Sequence, residues 1–250
     1  MKKYTLVKSN FTSFSGGKLY QIKSLKSFNG VRVNELGGYI ENERNLSQGG
    51  DAWVHKNAMV YENAEVSGNA VVSGSARVYE DALVLGNAKV YGNAKVYGNA
   101  MVYGDTKVYG NVKVYDDARV YGNARILFGE LSDDMFENLK KYIYCSLNVL
   151  PNPVTKTYIL YKRVNRIRKG RYASCWDRTF IYYDGKYKTV KNPDMNKSIS
   201  CSSGIHISVP DYWSGGNTLI AVEVHEKDII TCQEGKLRCR KVKVLGEIEL

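Results

Sequence analysis

The side chains able to do chemistry in this chain are few and scattered. Its three histidines stand at positions 55, 206 and 225. No HExxH, GxSxG or glycine-rich phosphate loop occurs. The five cysteines, Cys145, Cys175, Cys201, Cys232 and Cys239, are odd in number and form no CxxC pair. Reduced thiols in a cytoplasm are therefore expected rather than a disulfide framework. Cys201, His206, Cys232 and Cys239 match no zinc-finger spacing, so no metal and no cofactor is expected.

The strongest chemical signal is charge. The chain carries a formal net charge of +11, and residues 151–200 hold 12 basic against 3 acidic side chains. Within them "YKRVNRIRKGRY" (161–172) has six basic residues in twelve, with tyrosine at both ends. Lys162, Arg163, Arg166, Arg168 and Arg171 are thus candidates to hold phosphate, and a solvated hairpin is the alternative reading. In "SSGIHISV", strand alternation puts Ile205 and Ile207 on one face and His206 on the other with Ser208. Tyr212 and Trp213 complete the candidate ligand set, as core anchors or as rings that stack on a ligand.

Those residues need a scaffold, and the sequence announces one. Valine or isoleucine recurs every six residues from Val54 to Ile126, and a small side chain follows four residues after almost every member. In each hexad the small residue and the valine point one way and their neighbours the other, as in a strand. A Gly-Asn or acidic dipeptide then turns the chain, Gly and Asn both tolerating positive φ. A four-residue strand cannot bury its valine alone, so successive turns must stack as a solenoid.

The pattern resembles the left-handed parallel β-helix of hexapeptide-repeat proteins over about residues 38–128. It departs from them in placing tyrosine after the aliphatic residue. "LGGYIENERNLSQGGDAWV" (36–54) resembles the entry segment of a bacterial and phage subgroup, with Ile40 and Leu46 as first hexads and a two-residue insertion before Val54. Three hexads per coil would sort the outward residues into three faces. The first holds Trp53 and His55. The second holds a tyrosine ladder, Tyr79, Tyr97 and Tyr115, beside a basic column, Arg77, Lys95 and Lys113, a candidate surface for an anion or a base, with cross-strand packing and solubility as the alternative reading. The third holds Leu83, Leu85, Met101 and Tyr103, an apolar patch expected to be a subunit contact in a homotrimer, as the resemblance also implies. Cover by a loop or by the C-terminal domain is the alternative.

Residues 1–35 read as a small β cap with strands in "KYTLV", "KLYQIKSL" and "VRV". Residues 36–130 are the β-helix. Residues 131–150 form a capping helix and linker, with Ser132 or Asp133 as N-cap, acids in the first turn, and Phe136, Leu139 and Ile143 lying over the last coil. "NVLPNPV" marks a boundary. Residues 151–250 form a compact, mostly-β domain whose segments 201–213, 219–230 and 235–248 resemble a C-terminal module of tailed-phage proteins. The fold class is therefore all-β. No apolar run is long enough for a membrane span, and the N-terminus does not read as a signal peptide.

These readings point to a non-catalytic binding protein that captures an anionic small molecule. A host signalling nucleotide, sequestered as a defence antagonist in a host cytoplasm, fits the phage resemblance. Nucleic acid is a variant of the same reading. An assembly protein docking a partner through its C-terminal domain is an alternative. The third is an acyltransferase, which the resemblance implies only if His55 is the base.

Overall fold

The computed structural model describes residues 2–135 and 137–248. It divides into two units, Met1–Lys141 and Tyr142–Leu250.

The first unit is mostly β and contains the solenoid, residues 39–131. Each hexad contributes a two-residue strand, and strands three hexads apart pair in parallel. Lys89 thus pairs with Val71 on one side and Lys107 on the other. Three sheets result, and they sort the outward side chains into the three faces expected from the repeat. Tyr39 pairs with Met59, Leu46 with Val66, and Trp53 with Val71, so the two extra residues fall between Leu46 and Trp53. Inside, Val54, Val72, Val90, Val108 and Ile126 form one fully buried column, and alanines fill the corners. Burying a valine side chain contributes about 1.5–3 kcal/mol, a gain that only stacking delivers here.

The turns differ from expectation in one respect. The left-handed corner is mostly glycine, as at Gly92 and Gly98 with φ of 75° and 70°. A Cβ on Gly98 would lie 2.6 Å from the Asp116 nitrogen in the next coil. The asparagine that follows is not in that conformation. Its amide instead bonds the residue one coil on, as Asn69 to Asn87 and Asn87 to Asp105, at 3.0 and 2.9 Å. Where glycine is missing, Lys56, Glu62, Glu80 and Asp116 hold the strained corner, and the carboxylates of Glu62 and Glu80 each accept the next coil's backbone N–H.

The N-terminal cap is not a separate layer. Strands β1 (Tyr4–Thr12), β2 (Lys18–Ser24) and β3 (Leu36–Ile40) are antiparallel to one another and extend the solenoid's second sheet. "VRV" makes only an isolated bridge, Phe28 with Val31. Lys3 and Tyr4 plug the open end. The Lys3 ammonium donates to the Ala52 carbonyl at 2.9 Å, and the Tyr4 hydroxyl to the Leu46 carbonyl at 2.7 Å.

The helix α1 is shorter than expected, Leu139–Leu147. Ser132 and Asp133 do not cap it, because Glu130–Leu131 is still a solenoid strand. Asn138 instead accepts the Lys141 N–H at 3.1 Å, and the first turn holds no acid. Met135 is the buried residue over the last coil, its sulfur 3.5 Å from the Tyr121 nitrogen. Phe136 lies outside the described residues. No helix among the described residues is long and apolar enough to cross a membrane.

The second unit contains a C-terminal antiparallel near-barrel. Its strands are β4 (Thr157–Arg168), β5 (Arg171–Ser174), β6 (Ile181–Tyr183), β7 (Tyr187–Thr189), β8 (Ile205–Ile207), β9 (Thr218–His225), β10 (Ile229–Gln233), β11 (Lys236–Cys239) and β12 (Lys241–Ile248). Six of them form one sheet, ordered β6-β5-β4-β9-β12-β7, and three another, β8-β11-β10. β6 and β7 lie at opposite edges of the larger sheet, yet only residues 184–186 connect them. That link reaches at most about 14 Å, so the sheet must curl almost into closure.

Candidate functional site

The richest cluster of ionisable side chains in the second unit lies on one face of the three-stranded sheet. β11 alternates Lys236 and Arg238 with Leu237 and Cys239, and all four are buried. In the pairing, His206 stands opposite Arg238, while Ile205 and Ile207 stand opposite Cys239 and Leu237. Alternation therefore makes one face apolar and gives His206, Lys236 and Arg238 to the other. Thr231 and Gln233 join them from β10.

A segment without regular strand, residues 192–204, straps this polar face. The Arg238 guanidinium donates to the Asn196 carbonyl, and Asp194 stands 3.5 Å from it. The Thr231 hydroxyl donates to the Lys197 carbonyl at 2.7 Å, and the His206 Nε2 lies 3.2 Å from the Ser200 carbonyl. Gly204 makes room for this arrangement, since a Cβ there would lie 2.5 Å from the Arg238 Cγ.

Lys162 reaches the same place from β4. It is 6% exposed, and its ammonium donates to the His206 carbonyl at 3.0 Å. The nitrogen also lies 5.3 Å from the Trp213 ring centre and 6.0 Å from that of Tyr182, close enough for cation–π attraction. No ion pair of Lys162 occurs among the described residues. Burial pulls its pKa down to about 8. Among the described residues the buried indole N–H of Trp213 and the Nε of Arg238, both nearby, find no hydrogen-bond partner.

Lys236 is satisfied differently. Its ammonium contacts Glu234 at 2.8 Å, the Cys201 sulfur at 3.1 Å and the Tyr212 hydroxyl at 3.2 Å. Burial works against that charge, but these three bonds outweigh it and hold the pKa above the usual lysine value. His206 is pushed the other way, to about 4, by burial first and then by the charges of Lys162 and Lys236. It is a neutral imidazole at pH 7. Three cations, two carboxylates and a neutral histidine leave the cluster one positive charge in excess, an arrangement suited to an anion.

The structure thus unites four sequence candidates, Lys162, His206, Tyr212 and Trp213. The hairpin arginines stand apart. Arg166 pairs with Glu247 at 3.5 Å, Arg168 lies exposed opposite Arg171, and the Arg171 guanidinium covers the Tyr183 ring at 5.8 Å. Arg163 is half-buried on the face opposite Lys162. Sequence reasoning missed Lys236, Arg238, Glu234 and Tyr182. The alternation in "GKLRC" held the signal for the first two.

On the solenoid, the tyrosine ladder is real. Tyr61, Tyr79, Tyr97 and Tyr115 stack at ring separations of 5.1, 4.9 and 5.3 Å. Tyr79 and Tyr97 are therefore covered on both ring faces, which leaves no face for a base. Burial raises the Tyr61 and Tyr79 phenols to about 12. A groove of about 200 Å³ runs beside them, lined by Phe14, Tyr61, Arg77, Tyr79, Glu80 and Lys95. Lys113 is neutralised by Glu130 at 2.6 Å. Leu83, Leu85, Met101 and Tyr103 are half-buried on the third face, where Leu83 pairs with Met101. His55 stands in the first coil, two residues from the buried Trp53, and burial lowers its pKa. Among the described residues no three of His, Cys, Asp and Glu gather as metal ligands.

Residues 64–80 and 94–110 match a family described as the YdcK beta solenoid repeat. Over the solenoid, the chain is similar to that repeat. No curated protein matches the chain. A β-solenoid, similar to that repeat over the matched residues, is thus the scaffold of the first unit, and the second contains the near-barrel with its cationic face.

Proposed function

We propose that this chain is a non-catalytic binding protein that captures a phosphate-bearing anion, of the nucleotide class, in its C-terminal near-barrel. The observation that carries the reading is Lys162, a buried ammonium that among the described residues has one hydrogen bond and no carboxylate, beside the Trp213 N–H, unpaired among those same residues, and the rings of Trp213 and Tyr182. An anionic oxygen would satisfy those donors, and a base or sugar would meet the rings. Lys236 and Arg238 supply the surrounding positive field, and the neutral His206 lies within it. The strap's carbonyls already fill the places that ligand oxygens would take on Arg238 and His206, so binding there would require the strap to shift. A trimer through the third face of the solenoid would carry three such sites. A phage-encoded protein that removes a host signalling nucleotide would need no more than this.

Native mass spectrometry of the purified protein against a panel of mono-, di- and cyclic nucleotides tests the reading. A nucleotide retained by the wild type and lost in Lys162→Met, with Arg166→Ala/Arg168→Ala unaffected, supports it. No retention of any nucleotide or inorganic phosphate overturns it.

A further inference from the structure

Cys201 is exposed, yet its sulfur lies 3.1 Å from the nitrogen of Lys236, whose side chain is 5% exposed. The two residues belong to different parts of the near-barrel, Cys201 to the strap and Lys236 to β11. Glu234 holds the same ammonium at 2.8 Å and also accepts from the Ser200 hydroxyl at 2.6 Å, next to Cys201. A thiol open to solvent, a fixed amine at bonding approach and a carboxylate able to take the amine's proton are the parts of one particular reaction. The other four cysteines lack this combination in the contacts described, and Cys145, Cys232 and Cys239 are buried.

We propose that Cys201 and Lys236 form a peroxide-dependent covalent bridge, Sγ–O–Nζ, that clamps the strap 192–204 onto β11. The chemistry balances with two equivalents of hydrogen peroxide. The first oxidises the thiol by two electrons to the sulfenic acid and releases one water. The second exchanges with the sulfenic hydroxyl to give a sulfenyl hydroperoxide and a second water. Glu234 takes a proton from the ammonium, and the freed nitrogen lone pair attacks the sulfur-bound oxygen. The O–O bond breaks, the nitrogen loses a further proton, and the terminal oxygen leaves as a third water. The sum is one thiol, one amine and two peroxides giving one bridge and three waters. Exposure of the Cys201 sulfur leaves it open to peroxide for the first step. Once formed, the bridge fixes the strap over His206 and Arg238, whose contacts with it are otherwise only polar.

The test uses the full chain, treated with hydrogen peroxide and digested without reductant. The expected product joins the peptide of Cys201 to that of Lys236, with a mass gain of one oxygen less two hydrogens. Reduction with a phosphine separates the two again. Cys201→Ser and Lys236→Arg, both checked for native circular dichroism, lose the joined peptide completely, and Lys236→Arg accumulates sulfinic acid at Cys201 instead. Sulfenic or sulfinic acid at wild-type Cys201 without a joined peptide overturns the proposal. So does joining of Cys201 to another lysine. The bridge needs no ligand, so its formation is scored on the apo protein, and nucleotide retention is scored separately on the reduced protein.

Discussion

The ammonium of Lys162 donates its 3.0 Å hydrogen bond to the backbone carbonyl of His206, and that is the only hydrogen bond it makes among the described residues. The bond ties the long strand β4 to the polar sheet, but it holds a charge where charge is costly. Burial alone lowers the Lys162 pKa to about 8. Lys162→Met keeps the shape and removes the charge. The variant is expected to be as stable as wild type or more stable, by up to about 4 kcal/mol. Thermal unfolding measures this. A clear loss of stability would show that the lysine is there for structure and would weaken its assignment to ligand binding.

His206 makes stability depend on pH in a defined window. Its folded pKa is about 4, below the usual 6.5, because burial and the charges of Lys162, Lys236 and Arg238 oppose protonation. The unfolded chain therefore takes up a proton between pH 6.5 and 4 that the folded chain refuses. Stability is unaffected by this group above 6.5, falls through the window, and has lost the full amount below 4. The slope reaches at most about 1.4 kcal/mol per pH unit for one proton. His55 acts in the same direction. Denaturant titrations of the wild type and of His206→Gln from pH 7 to 4 should show a flatter curve for the variant. Parallel curves would mean that the imidazole is hydrated in the folded state.

Leu83 and Met101 pair in the third sheet and point outward, half-buried. Trimerisation through this face would bury both. Light scattering should give the mass of three chains for the wild type and of one chain for Leu83→Glu/Met101→Glu. A wild-type monomer removes the trimer, and a trimeric double variant moves the contact elsewhere.

The solenoid was legible because its signal repeats. One valine every six residues fixes the strand, the inward face and, once coils hold three hexads, every neighbour along each face. Even the two-residue insertion was readable, since it shifts the later valines without breaking their spacing. The role of asparagine was not, because its amide acts on a residue a full coil away, and a single hexad carries no trace of that. The candidate site was half legible. Lys162 sits in a basic run whose arginines lie elsewhere, Arg166 on Glu247, Arg168 in solvent and Arg171 on the Tyr183 ring, so the run drew attention to the hairpin and away from the interior. Only the closure of the barrel brings Lys162 to His206, across 44 residues of sequence. Lys236 and Arg238 showed their alternation plainly, but a buried face made of cations is the reverse of the usual pattern.

Glu80 holds a solenoid corner at φ 58°, and its carboxylate accepts the Gly98 N–H of the next coil at 2.8 Å. Most other corners place glycine there. Two opposing effects are therefore separable at one position. Left-handed backbone costs a residue with a Cβ about 1–2 kcal/mol, and a hydrogen bond to a charged acceptor returns about 1.5–3 kcal/mol. Glu80→Ala keeps the strain and loses the bond, so it should destabilise by about 1.5–3 kcal/mol. Glu80→Gly loses both and should lie within about 2 kcal/mol of wild type, above the alanine variant. Chemical denaturation of the three proteins checks the order. If alanine and glycine were equal, the corner would carry no strain, and the glycines of the other hexads would owe their place to the close approach of the next coil alone.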